Sequence, residues 1–177
     1  MAELPMTRRL YGKFRGIVAQ NVDPLMRGRL MVIVPDVLGP VPSSWAEPCV
    51  PLAGPSGPPM GVYMVPPMGA GVWVEFEQGD VGRPIWVGCR WGAQSDVPPI
   101  AHLGLPVAPN IVLQTLGQNS IVLSDLPGPT GGIMLKSATG ATLIVNDTGI
   151  YIQNGKGASV VLTGPTVNVN AGALTVV

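Results

Sequence analysis

Residues 71–91, GVWVEFEQGDVGRPIWVGCRW, contain two stretches in which apolar side chains recur at every second position. A period of two is the pattern of a β-strand that packs one face against a core. Between the two stretches, Gly79, Asp80 and Gly82 suit a tight connection. We therefore predict two strands joined by a short turn, with Trp73 in the apolar alternation of the first.

The same alternation extends toward the N-terminus, where strands are predicted to begin at Tyr11. The turn at 23–28, DPLMRG, separates the first strand from a second one that Pro35 ends. A third strand, at 43–54, is broken by prolines that suit a sheet edge, and further strand segments follow from residue 61. The only candidate helix is a short one near 43–47. Five or six strands in so short a segment favour a small closed barrel, because closure removes exposed strand edges.

The composition supports an all-β chain with few charges. The 24 Gly and 20 Pro alternate with short Val, Ile and Leu runs, which is typical of many short strands and tight turns. Ten basic and ten acidic residues cancel, so no net field attracts nucleic acid or anionic lipid. Cys49 and Cys89 are too few for a disulfide framework, and we expect both to be reduced and structural.

The second half of the chain is a loose repeat of short strands. From residue 111, seven apolar runs begin about seven to twelve residues apart and are separated by polar, Gly-rich turns. Each run has one apolar face, and no helix is available to cover it within one chain. We therefore predict that three copies combine into an intertwined, triple-stranded β-helix. The predicted organisation is a tail at 1–10, a barrel at 11–92, a stiff, extended Pro-rich linker at 93–110 and the β-helix at 111–177.

The C-terminus carries no charged side chain after Lys156. At the end of a trimeric shaft, such strand ends would form a blunt apolar surface, and exposed apolar surfaces usually bind a partner. We predict a partner interface at Leu174, Thr175, Val176 and Val177.

The first half resembles the OB-fold domain of contractile-tail spike proteins, which include phage baseplate assembly protein V, the related tail spike and the VgrG proteins of type VI secretion. The resemblance covers residues 11–92 and rests on an ordered set of motifs that contain Asp-Pro, Gly-Arg, a Trp-containing strand, Gly-Asp and Arg-Pro-Ile. We expect these motif residues to be structural: Asp23, Pro24, Gly28, Arg29, Trp45, Gly79, Asp80, Arg83, Pro84, Ile85 and Gly88. Arg83 would pair with Asp80 or with a neighbouring chain.

The resemblance implies a homotrimeric central spike that pierces a cell envelope. It implies a separate hub protein on the OB-fold side, a PAAR-type tip protein at the C-terminal end and transient contact with the target envelope. The expected location is a phage tail baseplate or an injection-system particle that assembles in the cytoplasm. We expect no catalytic residue, no cofactor and no metal site. Three His102 side chains gathered by a trimer would be the one alternative metal site.

Two other functions are compatible with parts of the sequence. An OB-fold can bind single-stranded nucleic acid, and Arg8, Arg9, Lys13, Arg15, Arg27 and Arg29 with Trp73, Trp86 and Trp91 would supply charge and stacking. Acidic residues balance that charge, and we place Trp73 in the core. A trimeric tail fibre that binds carbohydrate is the other alternative. Hydrolysis of the carbohydrate is not expected, because Asp125 and Asp147 are the only acids of the shaft.

Overall fold

The computed structural model describes residues 9–55 and 57–176, with the backbone alone for residues 175 and 176. The chain divides into two compact units, with the boundary between Gly92 and Ala93. Both units are built from β-strands, and the described residues contain very little helix. The all-β prediction is confirmed.

The first unit is a five-stranded sheet in the order β2-β1-β4-β5-β3. The strands are β1 (Phe14–Gln20), β2 (Met31–Ile33), β3 (Glu47–Pro48), β4 (Gly71–Phe76) and β5 (Pro84–Arg90). All neighbouring strands are antiparallel except β3 and β5, which are parallel. The opening stretch forms β4 and β5, as predicted.

Two isolated bridges, one between Leu30 and Ala46 and one between Ile33 and Pro42, close this sheet. Leu30 and Ala46, which directly precede the two edge strands β2 and β3, exchange N–H···O bonds of 3.1 and 2.7 Å. The predicted barrel therefore closes through two isolated bridges, and elsewhere the sheet is a curled half-barrel. A closure this short satisfies few backbone groups, so the packed interior must supply most of the stability.

The core of the first unit consists of the inward-facing residues of the sheet. Val72, Val74 and Phe76 of β4 are buried, and the indole of the buried Trp86 donates to the carbonyl of Gly28 at 3.1 Å. Trp73 lies on the opposite face with Gly71 and Glu75, so its placement in the core was wrong. The reason is parity, since Trp73 is one position out of step with the three buried residues.

Local structure between β2 and β4 differs from the prediction in three ways. The four-residue helix α1 (Pro35–Leu38) forms where Pro35 fixes a helical φ, whereas 43–47 is not helical. The strand predicted at 43–54 shrinks to the two residues of β3, because its prolines cannot donate ladder hydrogen bonds. No strand forms at 61–65, where Gly61 makes only an isolated bridge to Ala53.

The second unit begins with two 3₁₀ helices, Gln94–Asp96 and Pro99–Leu103. The Pro-rich segment 93–110 was expected to be extended throughout. The fixed φ of proline suits the first turn of a helix as well as an extended chain. Here Pro99 begins a 3₁₀ turn, so counting prolines did not distinguish the two conformations.

An eight-stranded antiparallel sheet forms the rest of the second unit, and each strand pairs with the next one along the chain. The strands are β6 (Ile111–Gln114), β7 (Ser120–Ser124), β8 (Gly132–Lys136), β9 (Thr142–Asn146), β10 (Gly149–Gln153), β11 (Ser159–Thr163), β12 (Thr166–Val169) and β13 (Leu174–Val176). The sequence predicted seven strands. The eighth is β13, within the segment predicted to form a terminal interface.

Tight turns keep these ladders within one chain. Asn146 Oδ1 accepts from the N–H groups of Thr148 and Gly149 at 3.0 and 3.1 Å, and Asn154 Oδ1 accepts from Lys156 and Ala158 at 2.8 and 3.0 Å. Such side-chain turns reverse the chain at once and favour hairpins. Within one copy, the ladder hydrogen bonds therefore join consecutive strands.

Gly132, the first residue of β8, is a sensitive position in this sheet. Its φ is +89°, and an added Cβ would overlap the carbonyl oxygen of Val145. We expect Gly132→Ala to destabilise the second unit by about 2 kcal/mol or more, because both the backbone and the neighbouring strand must shift. Chemical denaturation followed by far-ultraviolet circular dichroism measures the change. Gly117→Ala, at an ordinary φ with no neighbour closer than 3.7 Å, should be nearly neutral. Equal effects of the two substitutions would contradict the prediction.

Candidate functional site

One face of the eight-stranded sheet carries two parallel rows of apolar side chains, which we call the double row. The strand register aligns the second and fourth residues of each central strand with those of its neighbours. The first row is Ile111, Leu123, Ile133, Val145, Ile150, Leu162 and Val167. The second row is Leu113, Ile121, Leu135, Leu143, Ile152, Val160, Val169 and Leu174.

Much of the double row is exposed within a single copy. Ile111 is 66% exposed, Ile133 50% and Ile152 44%. No polar or charged side chain interrupts either row. Water-exposed apolar surface of this extent is rare on a monomeric protein and marks a surface that a partner covers.

The opposite face has a different composition. A single apolar row, which includes Val122, Met134 and Ile144, runs along its middle, with polar side chains on both sides. Val122 is only 2% exposed and the other two are half-buried. The sheet is thus amphipathic, and the double row is the face that remains to be covered.

Comparison with known families gives the second unit a role. Residues 110–175 match the phage baseplate V C-terminal trimerisation domain, and residues 14–91 match the type VI secretion system/phage-baseplate injector OB domain. The chain belongs to the phage baseplate V family. No curated protein shows a significant match to it.

Membership of the baseplate V family explains the double row. The row lies inside the matched trimerisation domain, and the match supports self-association as a homotrimer. The two matched domains support a structural, spike-type role in a baseplate and a location in a phage tail or injection machine. Both matched families are structural baseplate domains.

Five of the predicted motif residues lie in or against the turn before β2: Asp23, Pro24, Gly28, Arg29 and Trp45. The Asp23 carboxylate accepts from the N–H groups of Leu25 and Arg27 at 2.9 and 2.8 Å, and from the Arg29 guanidinium at 2.6 Å. The Arg29 guanidinium also stacks 5.5 Å from the Trp45 ring centroid. Gly28 is the acceptor for the Trp86 indole. These contacts tie the turn to the barrel, and the hydrogen bond from Arg29 holds the pKa of the Asp23 carboxyl far below its usual range.

The remaining motif residues, Gly79, Asp80, Arg83, Pro84, Ile85 and Gly88, lie in β5 and the turn that precedes it. Asp80 accepts from the N–H of Gly82 at 2.9 Å. Arg83 pairs with Glu77 at 2.7 Å and not with Asp80, so the first of its two predicted partners was wrong. Gly88 lies beside an irregularity in the β4–β5 register. Glu77 lies six residues before Arg83 and is not one of the predicted motif residues, so the motif alone did not indicate this ion pair.

The predicted C-terminal interface lies partly outside the described residues. Leu174 is 58% exposed and extends the second row. Thr175 and Val176 pair with Asn168 and Val167 through the backbone of β13, but their side chains are not described. Val177 lies outside the described residues.

Residues 9–55 and 57–176 contain no group of three or more His, Cys, Asp or Glu that would hold a metal ion. His102, the alternative metal ligand, lies in the 3₁₀ helix Pro99–Leu103. Cys49 and Cys89 are free thiols on exposed residues, and partial desolvation raises the pKa of Cys89. Across the described part of the chain, no helix has the length and apolarity needed to span a bilayer.

Proposed function

We propose that three copies form the central spike of a contractile injection machine and pierce the envelope of a target cell. The observation that carries the proposal is the combination of an injector OB domain and a trimerisation domain, in that order, with an uncovered double row in the second. In this proposal the protein has a mechanical role and no catalytic one.

The sheet of the second unit supports a load-bearing role. Its eight strands follow one another in chain order, and at about 4.8 Å per strand they extend over roughly 35 Å. The ladder hydrogen bonds lie along this direction, so a force applied along it is resisted by main-chain bonds. When three copies cover one another's double rows, each apolar core side chain is held by neighbours and bending exposes it to water.

Two partners complete the proposed spike. A separate hub protein would bind the OB unit and connect it to the tail tube. A PAAR-type tip protein would bind the C-terminal end at Leu174–Val177, where the exposed Leu174 supplies apolar surface. Contact with the target envelope would be transient and would occur during contraction.

The position of the chain in the intact particle tests this proposal. We expect cryo-electron microscopy of purified particles to show three copies on the tail axis at the distal end of the tube. Removal of residues 174–177 should preserve the trimer but abolish delivery and release the tip protein. The Gln153→Asp variant, which changes an exposed residue of the polar face, is the control and should deliver normally. Copies found on lateral fibres would instead favour a carbohydrate-binding fibre. Salt-dependent binding of an oligonucleotide to the OB unit would favour the nucleic-acid alternative.

A further inference from the structure

The described part of the long connection between β3 and β4, residues 49–55 and 57–70, forms an ordered arm. Within it, the N–H of Gly54 donates to Met60 O at 2.8 Å and the N–H of Val62 donates to Leu52 O at 3.0 Å, which makes a short hairpin. At its base, Asn21 Nδ2 donates to Pro66 O at 3.1 Å. The arm is therefore held in place by hydrogen bonds.

Although ordered, the arm exposes large apolar side chains. Tyr63 is 70% exposed and Met64 59%. The other exposed large apolar residues of the arm are Leu52, Met60 and Met68. The Tyr63 ring lies beside Gly28, close enough that an added Cβ there would be 3.3 Å from it. The neighbouring turn exposes Leu25 and Met26 as well, so the apolar surface extends beyond the arm.

The arm also lacks charge. Residues 48–74 contain no Asp, Glu, Lys, Arg or His, although ion pairs such as Lys13–Glu75 and Arg27–Glu47 lie on the surface of the same unit. Depletion of charge together with exposed Tyr and Met is the composition of the centre of a protein interface. Methionine in particular adapts its shape to a partner.

We propose that the arm packs against a second copy of this chain, so that the trimer has a second interface at the OB units. Only residues 92–109 separate the two matched domains, so trimerisation of the C-terminal units tethers three OB units at an effective concentration in the millimolar range. At that concentration even a weak apolar contact is occupied. An uncharged surface also suits three identical copies, which would otherwise bring like charges close to one another. The inference rests on the trimer and not on the spike function.

A photocrosslinker tests the contact in the full-length chain without any other protein. We place p-benzoylphenylalanine at Tyr63 and, as a matched control, at Tyr11, which is an equally exposed tyrosine of the same unit outside the arm. We expect covalent dimers and trimers from position 63 and only background from position 11. Adding Ile152→Asp, which removes the tether by breaking the C-terminal trimer, should abolish the products at micromolar concentration.

Two results would overturn the proposal. One is a yield at position 63 no higher than at position 11 while the trimer is intact. The other is crosslinking of position 63 to a different protein in assembled particles with none between copies, which would assign the arm to that protein. The first result is obtained with the purified chain alone, so it can fail or succeed independently of the spike function.

Discussion

Ile152→Asp is expected to convert the trimer into a monomer. Three copies of the 18.4 kDa chain have a mass of about 55 kDa, and light scattering should show this mass fall to that of one copy. Ile152 lies in the second row of the double row on the central strand β10, between Leu143 and Val160. Each copy loses roughly 2 kcal/mol of the stabilisation that comes from burying the Ile152 side chain. In addition, three carboxylates must enter an apolar core in which no cation or hydrogen-bond donor pairs with them.

The neighbouring residue supplies the control for this experiment. Gln153→Asp adds the same charge one position further along β10, but on the opposite, polar face. It should leave the trimer intact. Since Ile152 is exposed in a single copy, its substitution by Asp should not unfold the strand, and circular dichroism would verify this. A trimer that survives Ile152→Asp, or that is lost equally with Gln153→Asp, would show that the double row is not the trimer interface.

Asp23→Asn is expected to lower the melting temperature of the OB unit by more than about 10 °C. The Asp23 side chain is only 2% exposed and is paired with Arg29. The substitution removes the negative charge, so the largely buried Arg29 guanidinium loses its ion-pair partner. Tryptophan fluorescence reports this unit alone, because Trp45, Trp73, Trp86 and Trp91 all precede residue 92. Glu47→Gln removes the exposed ion pair with Arg27 and should change the melting temperature little.

The same carboxylate makes the OB unit sensitive to acid. The pKa of Asp23 in the folded protein is lowered, chiefly by the hydrogen bond from Arg29. The contribution of Asp23 to the free energy of unfolding is therefore complete above the unfolded pKa of about 3.9 and is lost as pH falls below that value. We expect wild-type protein to lose more thermal stability than Asp23→Asn between about pH 5 and pH 2. Parallel losses in the two proteins would mean that Asp23 does not stabilise the folded state.

Local pattern was enough to predict most of the strands. The alternation in residues 71–91 predicted β4 and β5, and the short apolar runs after residue 111 predicted the strands of the second sheet apart from β13. The period of two depends only on consecutive residues, so the sequence carries it directly. The parity of Trp73 with Gly71 and Glu75 was equally visible, and a stricter use of it would have placed this side chain on the outer face.

The sequence by itself determined that the chain is all-β, that its second half has apolar strand faces without a cover, and that its motifs resemble those of tail spikes. Only the tertiary structure decided which residues share a surface. The alignment of the double row depends on the register of seven successive hairpins, and a slip of one residue would turn each side chain to the other face. The bridge between Leu30 and Ala46 and the pairing of Arg83 with Glu77 likewise depend on how turns place distant or neighbouring residues, which periodicity does not specify.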